Sequence, residues 1–99
     1  MTFGQMEQYF DDQDNKPYTS FEETTFVKRS KRPDIHAFLL LDELLPDDNN
    51  IICSTGHDQV WLSIDEDKLA AVITPEQIAE LTACGVWLDK TVSGLTMYV

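Results

Sequence analysis

The chain has little of what membrane segments and secreted disulfide frameworks are built from. Its apolar runs are no longer than about five residues, as in 37–41, which two acids stop, so we expect no segment that crosses a membrane. Residues 1–10 have no basic start followed by an apolar stretch, so we expect no signal peptide. The two cysteines, Cys53 and Cys84, lack framework spacing, which favours free thiols and a cytoplasmic location.

Motifs of catalysis are missing as well. The four glycines are isolated, which excludes a glycine-rich phosphate loop, and there is no Gly-Xaa-Ser-Xaa-Gly sequence. Zinc accepts mixed sulfur and nitrogen ligands, and the candidate ligands are Cys53, His57, Cys84 and His36. They include no close cysteine pair. We therefore expect no metal, no cofactor and no enzymatic activity, and a small metal-dependent enzyme remains the third alternative.

Basic residues are few and unevenly placed. The chain of 99 residues carries 18 acids and 7 bases, a formal net charge of −11. Four of the bases lie in the pentapeptide 28–32, between the acidic stretches 1–27 and 33–99. Nucleic-acid affinity comes largely from Lys and Arg that displace counterions, so we expect no direct nucleic-acid binding. The same acidity steers the chain towards a protein with a basic surface.

The basic pentapeptide divides the chain into two parts. Residues 1–33 are predicted to form an acidic and aromatic arm that ends in a basic linker, and residues 34–99 a compact α+β domain. Within the arm, one short amphipathic helix fits the apolar residues Phe3, Met6, Tyr9 and Phe10. A disordered tail normally lacks so many aromatic residues. The arm therefore either folds upon a partner or packs back on the domain.

The first half of the predicted domain contains a helix and a hairpin. Asp34 is placed to cap a helix that Pro46 stops. Residues 47–50 have the composition of a turn. Two strand-like runs follow, 51–54 and 59–64. The second run alternates apolar and other residues, as a half-buried strand does.

The second half is predicted to contain two helices and a further hairpin. Acids open a short helix over residues 65–73, where they interact favourably with the helix dipole. Thr74 and Gln77 have the spacing of a capping box, and Gly85 is the natural left-handed stop. Strands at 86–88 and 95–99 follow. We expect a small antiparallel sheet of about four strands with about three helices packed on one side.

Five acids lack a local structural explanation. Asp42 and Glu43 lie near a helix C-terminus, where negative charge is unfavourable. Asp11, Asp12 and Asp14 have no local role in the sequence pattern. We predict that these five residues bind a partner. The alternative, that they simply form a solvated surface, stays open.

Three aromatic residues alternate with the core positions of the predicted strands: Trp61, Trp87 and Tyr98. We expect them to lie together on the sheet face opposite the core. One interpretation is an aromatic binding patch, since Trp and Tyr dominate the energetics of protein interfaces. The other is a second layer that is covered by the arm or by the second subunit of a homodimer.

Five short stretches of the domain sequence carry a resemblance to known proteins: residues 57–65, 69–70, 74–77, 84–86 and 95–99. Over residues 34–99 the sequence resembles small acidic proteins of phages and prophages. The resemblance implies an accessory protein that binds a host enzyme, as anti-CRISPR and anti-restriction inhibitors do, and hence a location in the host cytoplasm. It implies no catalytic residue.

Two functional hypotheses follow. The first is a non-enzymatic acidic protein-binding module, an inhibitor that occupies a basic, nucleic-acid-binding surface of a host protein as a DNA mimic does. Duplex DNA presents about one charge per 1.7 Å of axis, so a mimic needs acids arrayed along one face. The alternative is a structural or assembly protein that forms a homodimer or phage subcomplex through Trp61, Trp87 and Tyr98.

Overall fold

The structure, a computed structural model, describes residues 1–16, 20–46, 50–89 and 94–98. Their elements, in chain order, are α1 (Phe3–Asp14), a 3₁₀ turn (Phe21–Glu23), α2 (Pro33–Leu44), β1 (Ile52–Gly56), β2 (Gln59–Leu62), α3 (Glu66–Val72), α4 (Pro75–Ala83), β3 (Val86–Asp89) and β4 (Gly94–Tyr98). The α+β class and the order of the domain elements are confirmed, with four helices where about three were expected. In the part described, no helix has the length and apolarity of a membrane-crossing segment.

The ends of α4 form as its sequence predicts, and α3 begins with acids as expected. The Thr74 hydroxyl accepts a hydrogen bond from the Gln77 backbone N–H at 3.2 Å, and the Gln77 side chain accepts one from the Thr74 N–H at 2.9 Å. Asp65 caps α3 by accepting from the backbone N–H of Lys68. Gly85, just after α4, has a φ of +89°, where a side chain would be strained. Strong local signals therefore fix this part of the fold.

The start of α2 differs from its prediction. The helix begins at Pro33, whose fixed φ suits the first helical position. Arg32 is its N-cap and makes no side-chain capping bond. Asp34 consequently lies in the first turn, where its charge favours the helix dipole, rather than at the cap.

The sheet is antiparallel throughout, with the strand order β1-β2-β4-β3. Its first hairpin turns more tightly than predicted, because β1 continues to Gly56 and only His57 and Asp58 connect it to β2. Asp58 adopts a φ of +61°, which aspartate tolerates better than most residues. The run predicted as a strand to residue 64 ends at Leu62.

The strand register separates the two faces of the sheet. Trp61 and Trp87 each lie opposite Thr96 of β4, so the three side chains share one face. Tyr98 follows Thr96 by two residues and lies on that face as well. The opposite face carries buried residues of the core: Leu62, Val86, Leu95 and Met97. The expectation that the three aromatic residues share the face away from the core is therefore confirmed.

The arm contributes directly to the core. Met6 and Phe10 of α1 are 0% and 2% exposed, and Phe21 is 3% exposed. These side chains belong to one buried cluster with residues of α2, α3, α4 and the sheet, and α1 packs against α3 and α4. Of the two explanations for the aromatic arm, the structure shows packing on the domain. The turn expected from residue 47, and the last residue of the predicted strand 95–99, lie outside the described residues.

Candidate functional site

Trp87 is shared by several depressions of the surface. It is on β3, an edge strand, and its side chain is half-buried. It lines three depressions, of about 620, 440 and 330 Å³. Small-molecule and peptide sites are typically concave, with apolar walls and a few polar groups. The surface around Trp87 is therefore the candidate binding site.

The largest depression is an acidic cleft between the end of α1, the segment 23–26, α4 and β3. Four carboxylates line it: Asp14, Glu23, Glu76 and Glu80. Lys16 is the base among its described lining residues. The rings of Phe26 and Trp87 provide apolar wall. This arrangement attracts a cation and offers it an aromatic face.

The smallest depression brings together four residues that the sequence predicted for partner binding. Asp11 and Asp14 of α1 line it with Trp87 and Tyr98. Tyr98 is 57% exposed and also borders the depression of about 440 Å³. We call the combined region the Trp87 surface, defined by Asp11, Asp14, Glu23, Phe26, Glu76, Glu80, Trp87 and Tyr98.

The other four predicted residues do not line these depressions. Asp12 is exposed, and its carboxylate accepts a hydrogen bond from the Gln8 side chain at 3.0 Å. Asp42 and Glu43 are exposed on α2 and line none of the three depressions. Trp61 shares the sheet face of Trp87 but lies across Thr96 from it. Its ring packs against β1, so closely that a side chain at Gly56 would meet it at 2.8 Å.

Sequence reasoning missed three acids of the Trp87 surface. Glu23, Glu76 and Glu80 were not among the residues predicted to bind a partner, although they line the cleft. Glu76 and Glu80 are four residues apart, which places them on one face of α4. That spacing could have predicted from the sequence that the two acids lie together. Their proximity to Asp14 could not be predicted, because it depends on α1 packing against α4.

The basic pentapeptide is folded onto the domain. The Lys28 ammonium group lies 5.2 and 5.4 Å from the ring centres of Phe21 and Phe26, and it donates a hydrogen bond to the Thr24 carbonyl at 3.1 Å. The Arg29 guanidinium forms an ion pair with Glu43 at 2.5 Å. Glu43 therefore has an intramolecular partner that its position on α2 did not reveal.

His36 and Glu80 face each other beneath the cleft. The His36 side chain is fully buried, and its Nε2 atom lies 4.0 Å from Glu80 Oε2. Burial lowers the pKa of His36, and the neighbouring charges of Arg29 and Lys28 lower it further. Burial also raises the pKa of Glu80, an effect that Arg29 opposes and Glu43 reinforces. Because the imidazole is neutral at neutral pH, the contact is not an ion pair.

The cysteines and the exposed histidine do not form a reactive site. Burial, followed by the charges of Glu80 and Asp34, raises the pKa of the Cys84 thiol to about 12, so it is protonated and poorly nucleophilic at neutral pH. Cys53 and His57 lie on the exposed first hairpin, away from the interior positions of His36 and Cys84. Among the residues that the structure describes, no three His, Cys, Asp or Glu side chains are grouped to hold a metal ion.

Comparisons with protein-family models, with curated proteins and with solved structures give no match for this chain. A functional proposal therefore depends on the geometry and charge of the Trp87 surface.

Proposed function

We propose that the chain is a non-enzymatic binding protein whose Trp87 surface takes a basic segment of a partner protein. The observation that carries the proposal is the cleft of about 620 Å³ in which four carboxylates surround Phe26 and Trp87. Lysine and arginine side chains complement both features, through ion pairs and through cation–π contact with the rings. Tryptophan in such a position is often the residue that dominates binding energy.

The chain itself supports the chemistry of this proposal. Lys28 already lies over the rings of Phe21 and Phe26 at cation–π distance. Phe26 and the Thr24 residue that binds Lys28 also line the cleft. A basic side chain from a partner would enter beside an intramolecular contact of the same kind.

The partner class that we propose is a nucleic-acid-binding protein. Glu7, Asp11 and Asp14 follow one another on α1 at spacings of four and three residues, and Glu76 and Glu80 run along the neighbouring α4. At a rise of about 1.5 Å per residue these five acids occupy roughly 10 Å of helix. Duplex DNA carries about six charges over that distance. The resemblance to phage accessory proteins makes a host enzyme the partner that we propose.

A homodimer or assembly subunit is the second candidate. One observation favours it: Tyr98 is 57% exposed on the sheet face that also carries Trp61 and Trp87. Sedimentation equilibrium separates the candidates, because a chain that stays monomeric at high concentration has no such interface with itself.

Neutralising the cleft tests the binding proposal. The probe is a fluorescein-labelled peptide of alternating arginine and glycine, and the measurement is its anisotropy as the protein is added. We expect the double variant Asp14→Asn/Glu76→Gln to weaken binding by about 2- to 30-fold, the range for two exposed ion pairs. We also expect affinity to fall steeply between about 50 and 200 mM salt.

The matched control is Asp58→Asn/Asp67→Asn, which removes the same two negative charges from the net charge of −11. Both residues are exposed, and neither lines the cleft. Equal weakening by the two double variants would show that only the overall charge attracts the peptide, and the proposed site would be wrong. Unchanged peptide affinity in the variant Asp14→Asn/Glu76→Gln would also contradict the proposed site.

A further inference from the structure

The strongest unexplained feature elsewhere in the fold is the environment of His36. Its imidazole is fully buried on α2 and lies against two aromatic rings, with ring centres 5.5 Å from Phe21 and 4.9 Å from Phe26. Its Nδ1 atom accepts a hydrogen bond from the backbone N–H of Arg29 at 3.1 Å. Its Nε2 atom has no hydrogen-bond partner among the described residues. A buried histidine that leaves one nitrogen unpaired calls for an explanation.

The bond from Arg29 determines which tautomer is present. A nitrogen that accepts a hydrogen bond carries no proton, so the neutral imidazole has its hydrogen on Nε2. A second proton would have to bind at Nδ1. It would then point at the Arg29 N–H, and two donors cannot bond each other. Protonation and the contact with Arg29 therefore exclude one another.

We infer that His36 is a proton-sensitive latch, whose neutral imidazole holds residues 28–31 of the basic segment on the domain and whose second proton releases them. Arg32 stays on α2 as its N-cap, since its carbonyl accepts a hydrogen bond from the His36 backbone N–H at 2.9 Å. The other contacts of these residues include those of Lys28 with Thr24 and with two aromatic rings, which lie within the arm, and one ion pair of Arg29 with the domain. The ion pair of Arg29 with Glu43 is solvent-accessible, with 64% of the Glu43 side chain exposed, and such pairs contribute little. The latch does not rest on the proposed function.

The charges on the two sides of His36 act in opposite directions on its protonation. Arg29 and Lys28 on the segment oppose a proton on the imidazole. Glu80 on α4 faces Nε2, and its charge would attract an imidazolium once one formed. Glu43 on α2 is paired with Arg29, while the buried Cys84 thiol beyond Glu80 is neutral. A second proton therefore exchanges the Arg29 contact for an ion pair with Glu80.

Release would move much of the positive charge of the chain. Residues 28–31 carry three of its seven bases, and in the latched state Arg29 contacts Glu43 and His36 of the domain. The segment also holds Lys28 over Phe26, which lines the acidic cleft. An acidic environment would thus free a basic segment and uncover one wall of the cleft.

Nuclear magnetic resonance of the full chain tests the latch. Long-range ¹H–¹⁵N spectra are expected to show His36 at pH 8 with its proton on Nε2. As the pH falls through the transition of His36, the hydrogen-exchange protection factor of the Arg29 amide should drop by about three- to tenfold, the range for one hydrogen bond. The amides of α4 and the sheet should keep their protection.

Two variants sharpen the test. His36→Phe keeps a ring against Phe21 and Phe26 but removes the acceptor, so the Arg29 amide should be unprotected already at pH 8. His57→Gln, which changes the other histidine of the chain, should leave the pH response intact. Should His36→Phe fail to fold, the titration of the wild-type chain decides alone.

Three results would overturn the inference. They are a His36 proton on Nδ1 at pH 8, full protection of Arg29 when His36 is charged, and protonation of His36 only together with unfolding of the sheet.

Discussion

Phe10→Ala is expected to lower the free energy of unfolding by about 3–5 kcal/mol, the usual result of removing a fully buried phenylalanine. Phe10 is 2% exposed and belongs to the same buried cluster as residues of α2, α4 and the sheet. A loss of this size is a large part of the 5–15 kcal/mol that typically stabilises a small domain. The variant would thus show that α1 is an integral part of the fold.

Urea denaturation followed by circular dichroism measures this effect. The control is Tyr9→Ala, on the same helix but with its side chain 39% exposed, for which we expect a change of less than about 1 kcal/mol. If Phe10→Ala cost no more than Tyr9→Ala, α1 would be a loosely attached arm and not part of the core.

Trp87→Ala is expected to weaken binding of the arginine–glycine peptide by about 30-fold or more, since a central tryptophan typically contributes at least about 2 kcal/mol to binding. Trp87 lines all three depressions of the site. Its loss removes the aromatic face that a guanidinium group would stack on. Anisotropy titration of the folded variant measures the effect.

Trp61→Ala is the matched control for this prediction. Trp61 lies on the same face of the sheet, but its ring packs against Gly56 of β1 and does not line the cleft. We expect its removal to change peptide affinity by less than about threefold, because it lies outside the contact region. Equal losses in the two variants would place the binding site on the whole aromatic face instead.

The elements that the sequence predicted well are those with strong local chemistry. The capping box of Thr74 and Gln77, the acidic start of α3 and the left-handed Gly85 all depend on residues close together in the chain. Thr2 and Gln5 form the same box at the start of α1. That pattern was readable from the sequence, and it would have made the N-terminal helix a firm prediction.

The candidate site was only partly predictable, because it depends on long-range packing. Trp87 and Tyr98 were found by strand alternation, and Asp11 and Asp14 by the lack of another role. Glu80 could not be found, since its meeting with His36 joins two helices that are 44 residues apart at these positions. Glu43 was predicted to lack a local role, but it forms an ion pair with Arg29. The two residues are 14 positions apart in the chain, so local sequence patterns do not reveal the pair.

The central claim is that the Trp87 surface binds a basic segment, and chemical-shift mapping tests it most directly. On addition of the arginine–glycine peptide to the ¹⁵N-labelled chain, we predict shifts in the indole N–H of Trp87 and in the amides of residues 12–14 and 76–80. The indole of Trp61 and the amides of β1 should not move. Shifts centred on Trp61 and β1, or no shifts at peptide concentrations that saturate the anisotropy signal, would contradict the account.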